Sequence, residues 1–353
     1  MLTRWSTTAR AHGRTRGRGR RMRWARFRSA VTAVALATGL AALAPVPAPA
    51  TAGEARQGRQ VAYVANRLDN TVSAIDVATY ATIATIPVGA APNGLDASPG
   101  GTRVYVANQN AGTVSVIDTA TNTVIATIPV GTSPADVAIS FDGRRAYVSN
   151  TFSNDVSVID TVTNTVIATV PIGIGSFDLV VSPCGTRVYA SNAFTGNVSV
   201  IDTATNTVIA TIPVGTTPSG IAISPRGTRV YVTNAASDDV SVIDTATNTV
   251  IDTIPVGDAP NAVVITPGGT RAYVGNSGSN TVSVIDTATN TVIATIPVGL
   301  GPVGMAVTPG GTRVFVADQS SDTVSVIDTA TNTVIATLTA GNVPSDVAIA
   351  TVP

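Results

Sequence analysis

The chain of 353 residues balances 21 basic against 21 acidic side chains, contains no lysine, and has one histidine and one cysteine. A single cysteine excludes an internal disulfide framework. The scarcity of His, Lys and Cys removes the side chains on which transition-metal ligation and most nucleophilic catalysis rest.

The first 28 residues carry ten arginines, residues 29–44 form an apolar stretch, and residues 45–52 are small and proline-rich, ending Ala50-Thr51-Ala52. This order is that of a secretory signal peptide, residues 1–52, cleaved before Gly53. The apolar run falls short of the roughly 20 residues that a membrane span requires. Met22 would start a leader of ordinary length, and Arg20-Arg21 could serve a twin-arginine route, a signal of low specificity in so arginine-rich a tract. Cleavage would remove Trp5, Trp24, His12 and all ten arginines, leaving 11 bases against 21 acids, a net −10. No lipidation cysteine lies near the cleavage point and the chain ends at Pro353 without an anchor, so a secreted, monomeric protein is expected. An acidic chain without lysine or tryptophan is a poor match for nucleic acid.

After a short tail, residues 53–60, the pair Ile-Asp recurs seven times at a period of 42, from Ile75-Asp76 to Ile327-Asp328, without insertion or deletion. Such regularity marks one supersecondary unit repeated, each copy too small to bury its own apolar face. In the second copy four β-branched segments follow one another. These are A (Leu95 to Ser98), B (Arg103 to Asn108), C (Thr113 to Asp118) and D (Thr123 to Val130), separated by turn residues such as Pro99-Gly100-Gly101. Short loops between successive strands predict an antiparallel meander.

Strand D carries a proline at one place in six copies (Pro87, Pro129, Pro171, Pro213, Pro255, Pro297), with Thr339 in the seventh. Proline cannot donate to a ladder, so D is predicted to be an edge strand. The first copy begins at Val61 with strand B and lacks an A strand, while the chain finishes on an orphan A strand, Val347 to Ala350. The two incomplete ends add to one unit. The expected fold over residues 61–353 is therefore an all-β, seven-bladed β-propeller of four antiparallel strands per blade, its ring closed by the C-terminal strand joining the N-terminal blade.

Strand B reads Tyr231-Val232-Thr233-Asn234 in the fifth copy, with Tyr105-Val106-Ala107-Asn108, Tyr147-Val148-Ser149-Asn150 and Tyr273-Val274-Gly275-Asn276 as variants. Motif, period and copy number resemble the YVTN-type propeller repeat of secreted and surface-layer-like proteins over roughly residues 61 to 350. Phe315-Val316-Ala317-Asp318 and Tyr189-Ala190-Ser191-Asn192 are mild departures. The resemblance implies an extracytoplasmic propeller with binding or cell-surface roles, and it carries over no catalytic residue.

Pairing Asn108 with Thr113 across the B to C turn sets Arg103 opposite Asp118, and the same holds in the later copies. Two roles are open for these residues: a cross-strand charge pair, or an Asp that accepts backbone N–H groups in the C to D turn. The Asn closing strand B reads as a turn cap. Cys184, in the A to B turn, reads as a solvent-facing drift, with an intermolecular disulfide as the other outcome.

In a meander the B to C and D to A loops share one face of the ring. That face varies between copies and carries ten aspartates against Arg67 alone, whereas the opposite face is nearly monotonous. Carboxylates and loop carbonyls suit a basic partner or calcium; a solvated, solubilising surface is the alternative. Asp136, Asp178 and Asp346 share one repeat position just before strand A and could line an ion site at the channel mouth, although Gly94, Gly220, Ala262 and Gly304 occupy the same position elsewhere.

Phe152 and Phe194 fall in B to C loops of adjacent blades, and Phe177 enters strand A where Ser176 replaces the usual proline. They form either an apolar contact patch or inward plugs that fill local gaps. The favoured reading is a non-catalytic binding or scaffold module that engages an unidentified protein or small-molecule ligand, basic or cationic, on this face. It needs no cofactor, with calcium as an optional ion. The alternatives are a calcium-dependent, lactonase-like hydrolase, favoured if Asp96, Asn93 and Asn261 gather with Asp136 around the channel, and a structural envelope protein.

Overall fold

A computed structural model describes residues 58–353, which lie within one compact unit, Gly53–Pro353. The expected signal peptide and all but the last residues of the tail fall outside the described residues. The described chain forms 28 strands in seven four-stranded antiparallel sheets, each ordered A-B-C-D from the axis outward, with no helix. Blade 2 is representative: strand A is Pro92–Ala97, B is Arg103–Asn108, C is Thr113–Asp118 and D is Thr123–Pro129. Strand A starts earlier than its apolar residues suggest, at the proline whose fixed φ suits the first residue of a strand. Strand D is at the outer edge in every sheet, as the proline carried by six of the seven requires.

The first blade closes the ring. Its strand B, Arg59–Asn66, begins two residues before Val61 and pairs with the C-terminal strand, Pro344–Val352, with Val61 opposite Ala350, Val64 opposite Val347 and Arg59 opposite Val352.

Each apolar core lies between two blades. One cluster packs Tyr105, Val114, Val116 and Ile128 of blade 2 on Val137, Ile139, Val148 and Ile159 of blade 3, and an equivalent cluster occupies each of the other interfaces. Repetition of one sequence thus produces one interface seven times, which is why a single blade is not stable alone.

The Arg–Asp register is as expected, Arg103 opposite Asp118, but the charge pair does not form. Asp118 Oδ1 accepts the N–H groups of Ala120 and Thr121 and the Thr121 hydroxyl, holding the C to D turn in which Asn122 adopts a φ of 54°. These bonds hold its carboxyl below the usual carboxylate range. Arg103 instead donates to the Thr161 carbonyl of the next blade. The same hand-over recurs from Arg145, Arg187 and Arg229 to Thr203, Thr245 and Thr287, from Arg271 to Thr329, and from Arg313 to Val77 across the closure. Among the described residues the one ion pair is Arg59 with Asp76, at 2.5 Å in blade 1. A turn carbonyl presented edge-on by the neighbouring blade satisfies the guanidinium without desolvating a second charge.

The buried strand B tyrosine makes a second tie between blades: Tyr63, Tyr231 and Tyr273 donate to the side-chain oxygens of Asn122, Asn290 and Asn332 in the next blade. At the closure both partners differ. Phe315 lacks the hydroxyl, Tyr80 stands where the other turns have Asn, and the two rings meet edge-on with centroids 6.5 Å apart while Arg313 lies over Tyr80. An aromatic pair of this kind stabilises by about 0.5–1.5 kcal/mol. Tyr80→Asn and Phe315→Tyr should each lower the melting temperature, the first by losing the ring pair and the second by burying an unpaired hydroxyl. The double variant should recover it through a Tyr–Asn bond, and additive losses in a double-mutant cycle would refute the coupling.

Candidate functional site

The seven A strands splay around the axis and do not pair with one another, leaving a channel of about 520 Å³ that they line along with loop residues Arg67 and Gln319. Backbone N–H groups on the open edges of these strands need acceptors. Three aspartates supply them across blades. Asp96 accepts from Ala97 and from Ile139 of the next blade; Asp178 accepts from Leu179 and from Ile221; Asp346 accepts from Leu95.

Asp136 behaves differently. Its own N–H donates to Ser149 Oγ, and no N–H of a neighbouring blade donates to its carboxyl. The Asp136 carboxyl also leans back over blade 2, where a Cβ added to Gly94 would lie 2.2 Å from Oδ1. Gly304 makes the same room for Asp346, with 2.6 Å to Oδ1. The small residues that interrupt the aspartate position are therefore spacers for a neighbour's carboxyl. Sequence inspection reads them only as gaps in a ring.

The four carboxyls occupy successive blades: Asp346 on blade 1, Asp96 on blade 2, Asp136 on blade 3 and Asp178 on blade 4. All four are half-buried along the channel wall, and loss of solvent is the largest influence on each. Burial, opposed by the bonds from Ile139 and Ala97, pushes Asp96 up to about 6. Burial and the charges of Asp178 and Asp96 push Asp346 up to about 8 against the bonds from Leu95 and Val347. Burial and the Asp178 charge raise Asp136 well above the usual range; burial also raises Asp178, opposed by the N–H groups of Ile221 and Leu179. The charge on Asp178 thus bears on the protonation of Asp136. Arg67 is the sole basic side chain of the lining, and its guanidinium is engaged by Gln109.

The expected site residues fall in two groups. Asp136, Asp178 and Asp346 all line the channel, joined by Asp96, Asn93 and Asn261. They do not converge as a ligand set: among the described residues no group of three or more His, Cys, Asp or Glu is arranged to hold a metal ion. The phenylalanines do not plug gaps. Phe152 and Phe194 are 68% and 66% exposed on loops of blades 3 and 4, and Phe177, 39% exposed, lines the channel beside Asp178. The Phe194 ring covers Gly175, and its N–H donates to the carbonyl of the exposed Ile174. Blade 3 seats this strand through Ser149 and Thr151, whose hydroxyls donate to the carbonyls of Phe177 and Ser176.

The strand B asparagines prove structural. Asn108 is fully buried and donates to Thr113 and Ser115. Cys184 is exposed, and hydrogen bonds with Thr186 and Ser182 lower its thiol to about 7. The opposite face holds one feature that repeat counting overlooks: Phe141, 61% exposed, stands where other copies have a turn proline.

Two family models match parts of the chain, a YNCE-like beta-propeller over residues 42–143 and a seven-bladed beta-propeller lactonase over residues 248–351. No curated protein matches the sequence. Similar solved structures include hydrazine synthase of Kuenenia stuttgartiensis, at 24% identity over 76% of this chain and 92% of that one, with a TM-score of 0.70. A functionally unknown protein of Desulfotomaculum acetoxidans superposes with a TM-score of 0.75 at 18% identity, covering 83% of this chain and 99% of that one. A putative 6-phosphogluconolactonase of Bacteroides uniformis gives 0.69 at 17% identity, covering 82% and 99%. Identities this low speak for the fold alone. Strand topology and both family models agree that this is a β-propeller protein.

Proposed function

We propose that the chain is a secreted, non-catalytic binding propeller of the YVTN type that takes a small ligand from the loop face into its axial channel. The observation that carries this reading is a cavity of about 520 Å³ with aspartates on four successive blades and exposed aromatics at its mouth. That volume lies within the range of pockets that enclose small molecules. The Arg-rich, then apolar N-terminus supports export.

A second reading, lactone hydrolysis, draws on two observations: the lactonase family model over residues 248–351, and the joint lining of one cavity by Asp96, Asn93, Asn261, Asp136 and Asp178. In that chemistry Asp178 takes a proton from water as the water oxygen attacks the lactone carbonyl. Asp136 gives its proton to the ring oxygen as the C–O bond breaks, releasing a hydroxy acid.

One experiment separates the two. The purified protein is offered γ- and δ-lactones with and without calcium, and its melting is followed with a panel of small cations and polyols. A ligand-induced rise in melting temperature without turnover is the expected result. Lactone opening that Asp178→Asn abolishes would replace the first reading by the second.

A further inference from the structure

We propose that the outer edge of blade 7 pairs with the same edge of a second copy, joining two propellers through one antiparallel ladder centred on Leu338. The product is a dimer in place of the monomer expected from sequence. It concerns the rim of the ring and is independent of what the channel binds.

The hydrogen-bond pattern fixes which backbone groups this edge leaves open. In blade 7, strand C, Thr323–Asp328, pairs with strand D, Thr333–Thr339, setting Thr323 opposite Thr339 and Ser325 opposite Thr337. The Ala340 N–H donates to the Asp322 carbonyl. Antiparallel pairs alternate between bonded and unbonded, so the N–H and C=O groups of Thr339 and Thr337 turn outward. Both residues are exposed, and the sheet ends at this strand. In blade 4 the same pattern holds, with Val214 N–H on the Gly196 carbonyl and Asn197 opposite Pro213, but the outward nitrogen there belongs to proline and has no hydrogen. The D strands of blades 1 to 6 all end on such a proline. Proline denies a sheet edge to other chains, and blade 7 alone lacks it.

Three features select a second copy as the occupant. A bulge leaves Ile335 unpaired between Val334 and Ala336, so the straight part of the edge runs from Ala336 to Ala340, with Leu338 at its midpoint. A two-fold axis through that midpoint sets Thr337 of each copy opposite Thr339 of the other. Every outward N–H then meets an outward C=O, and four bonds form. Charge is the second feature: residues 333–341 carry none, so two copies meet without repulsion, whereas strand D of blade 5 bears Asp252. The third is Leu338 itself. It is only half-buried, although Ile128, Val170 and Ile296 at the same place in other blades are buried. Two-fold pairing puts Leu338 opposite its own counterpart in an unbonded pair, the arrangement that brings facing side chains closest. One open edge per molecule closes the assembly at two copies.

Sedimentation velocity on the purified protein should show a monomer–dimer equilibrium that moves to dimer at high concentration, because an interface this small is weak. Thr339→Pro gives blade 7 the edge of its neighbours and removes two of the four bonds. It should weaken dimerisation about 30-fold while the monomer melts as before. Amide exchange supplies a reading on the unaltered protein, which stands even if the variant fails to fold. The Thr337 and Thr339 amides should exchange more slowly as concentration rises, whereas the Thr127 amide, at the same outward place on blade 2, should not change. A protein still monomeric at about 1 mM, a dimer that Thr339→Pro leaves at full strength, or equal protection of Thr127 and Thr337 overturns the proposal. An extended segment of a different protein on this edge, with the chain itself monomeric, overturns it as well.

Discussion

Deletion of residues 346–353 should abolish cooperative melting and send the protein to aggregates. The lost segment pairs along Arg59–Ala65 and buries Val347, Ala348 and Ala350 between the first, second and seventh blades. Its removal uncovers the inner face of Val61 to Val64, opens a ladder and leaves Leu95 N–H without its Asp346 acceptor. Lost burial and ladder bonds together are worth on the order of 10 kcal/mol, comparable with the whole stability of an ordinary domain. Circular dichroism melts and light scattering read the effect. A peptide of residues 344–353 added in trans should restore part of the transition, while a scrambled peptide should not. A truncated protein that melts like its parent would contradict closure by this strand.

The second large effect is a stability optimum on the acidic side of neutrality, at about pH 4–5. Asp96 and Asp346 have folded values near 6 and 8, above the ordinary 3.8. Groups raised in this way contribute stability that is fully present below the unfolded value and is lost as pH climbs through the folded one. Asp96 is therefore spent by about pH 6 and Asp346 by about pH 8. The turn aspartates act with opposite sign. Asp76, lowered to about 2 chiefly by its bond from Arg59, and Asp118, lowered by the Thr121 N–H, stabilise above 3.8 and lose that contribution as pH falls. The two sets cross between their windows.

Asp136→Asn isolates the channel's share, since an amide of the same shape cannot ionise. At pH 9 the variant should melt higher than its parent, and at pH 4 close to it, because the raised Asp136 carboxyl destabilises the fold only once it ionises. Parallel melting curves for the two proteins across that range would show that the Asp136–Asp178 pair does not carry the pH dependence.

Much of the architecture is legible because strand pairing is local within a repeat. The B and C strands match the expected bounds of Arg103–Asn108 and Thr113–Asp118, and the register of Arg103 on Asp118 follows from the short B to C turn. What is not legible is lateral. Whether Arg103 turns to Asp118 or to Thr161 depends on how far adjacent sheets are rotated about the axis, a quantity with no trace in one 42-residue unit. The compensation of Phe315 by Tyr80 spans the closure and links positions 235 residues apart in sequence.

The channel was legible in part. Asp136, Asp178 and Asp346 stand out by sharing a repeat position, but Asp96 sits two residues further along and joins them only because its carboxyl reaches Ile139 of the next blade. Ring closure then places Asp346 beside blade 2, and nothing in the linear order of the two ends conveys that proximity. Orientation of the phenylalanines was likewise open, since a loop aromatic of either direction satisfies the same repeat pattern.

The junction of Arg59 with Val352 has a topological consequence. These residues face each other as the last pair of an antiparallel ladder, where the six other blades have a covalent A to B turn. A two-residue turn of the Asn-Gly kind would span that gap, making the polypeptide an endless loop of seven equivalent hairpins. Any one turn could then be cut to create new ends. Backbone continuity and ring integrity are separable in this molecule, and the place where the chain is interrupted is a free variable for engineering circular permutants.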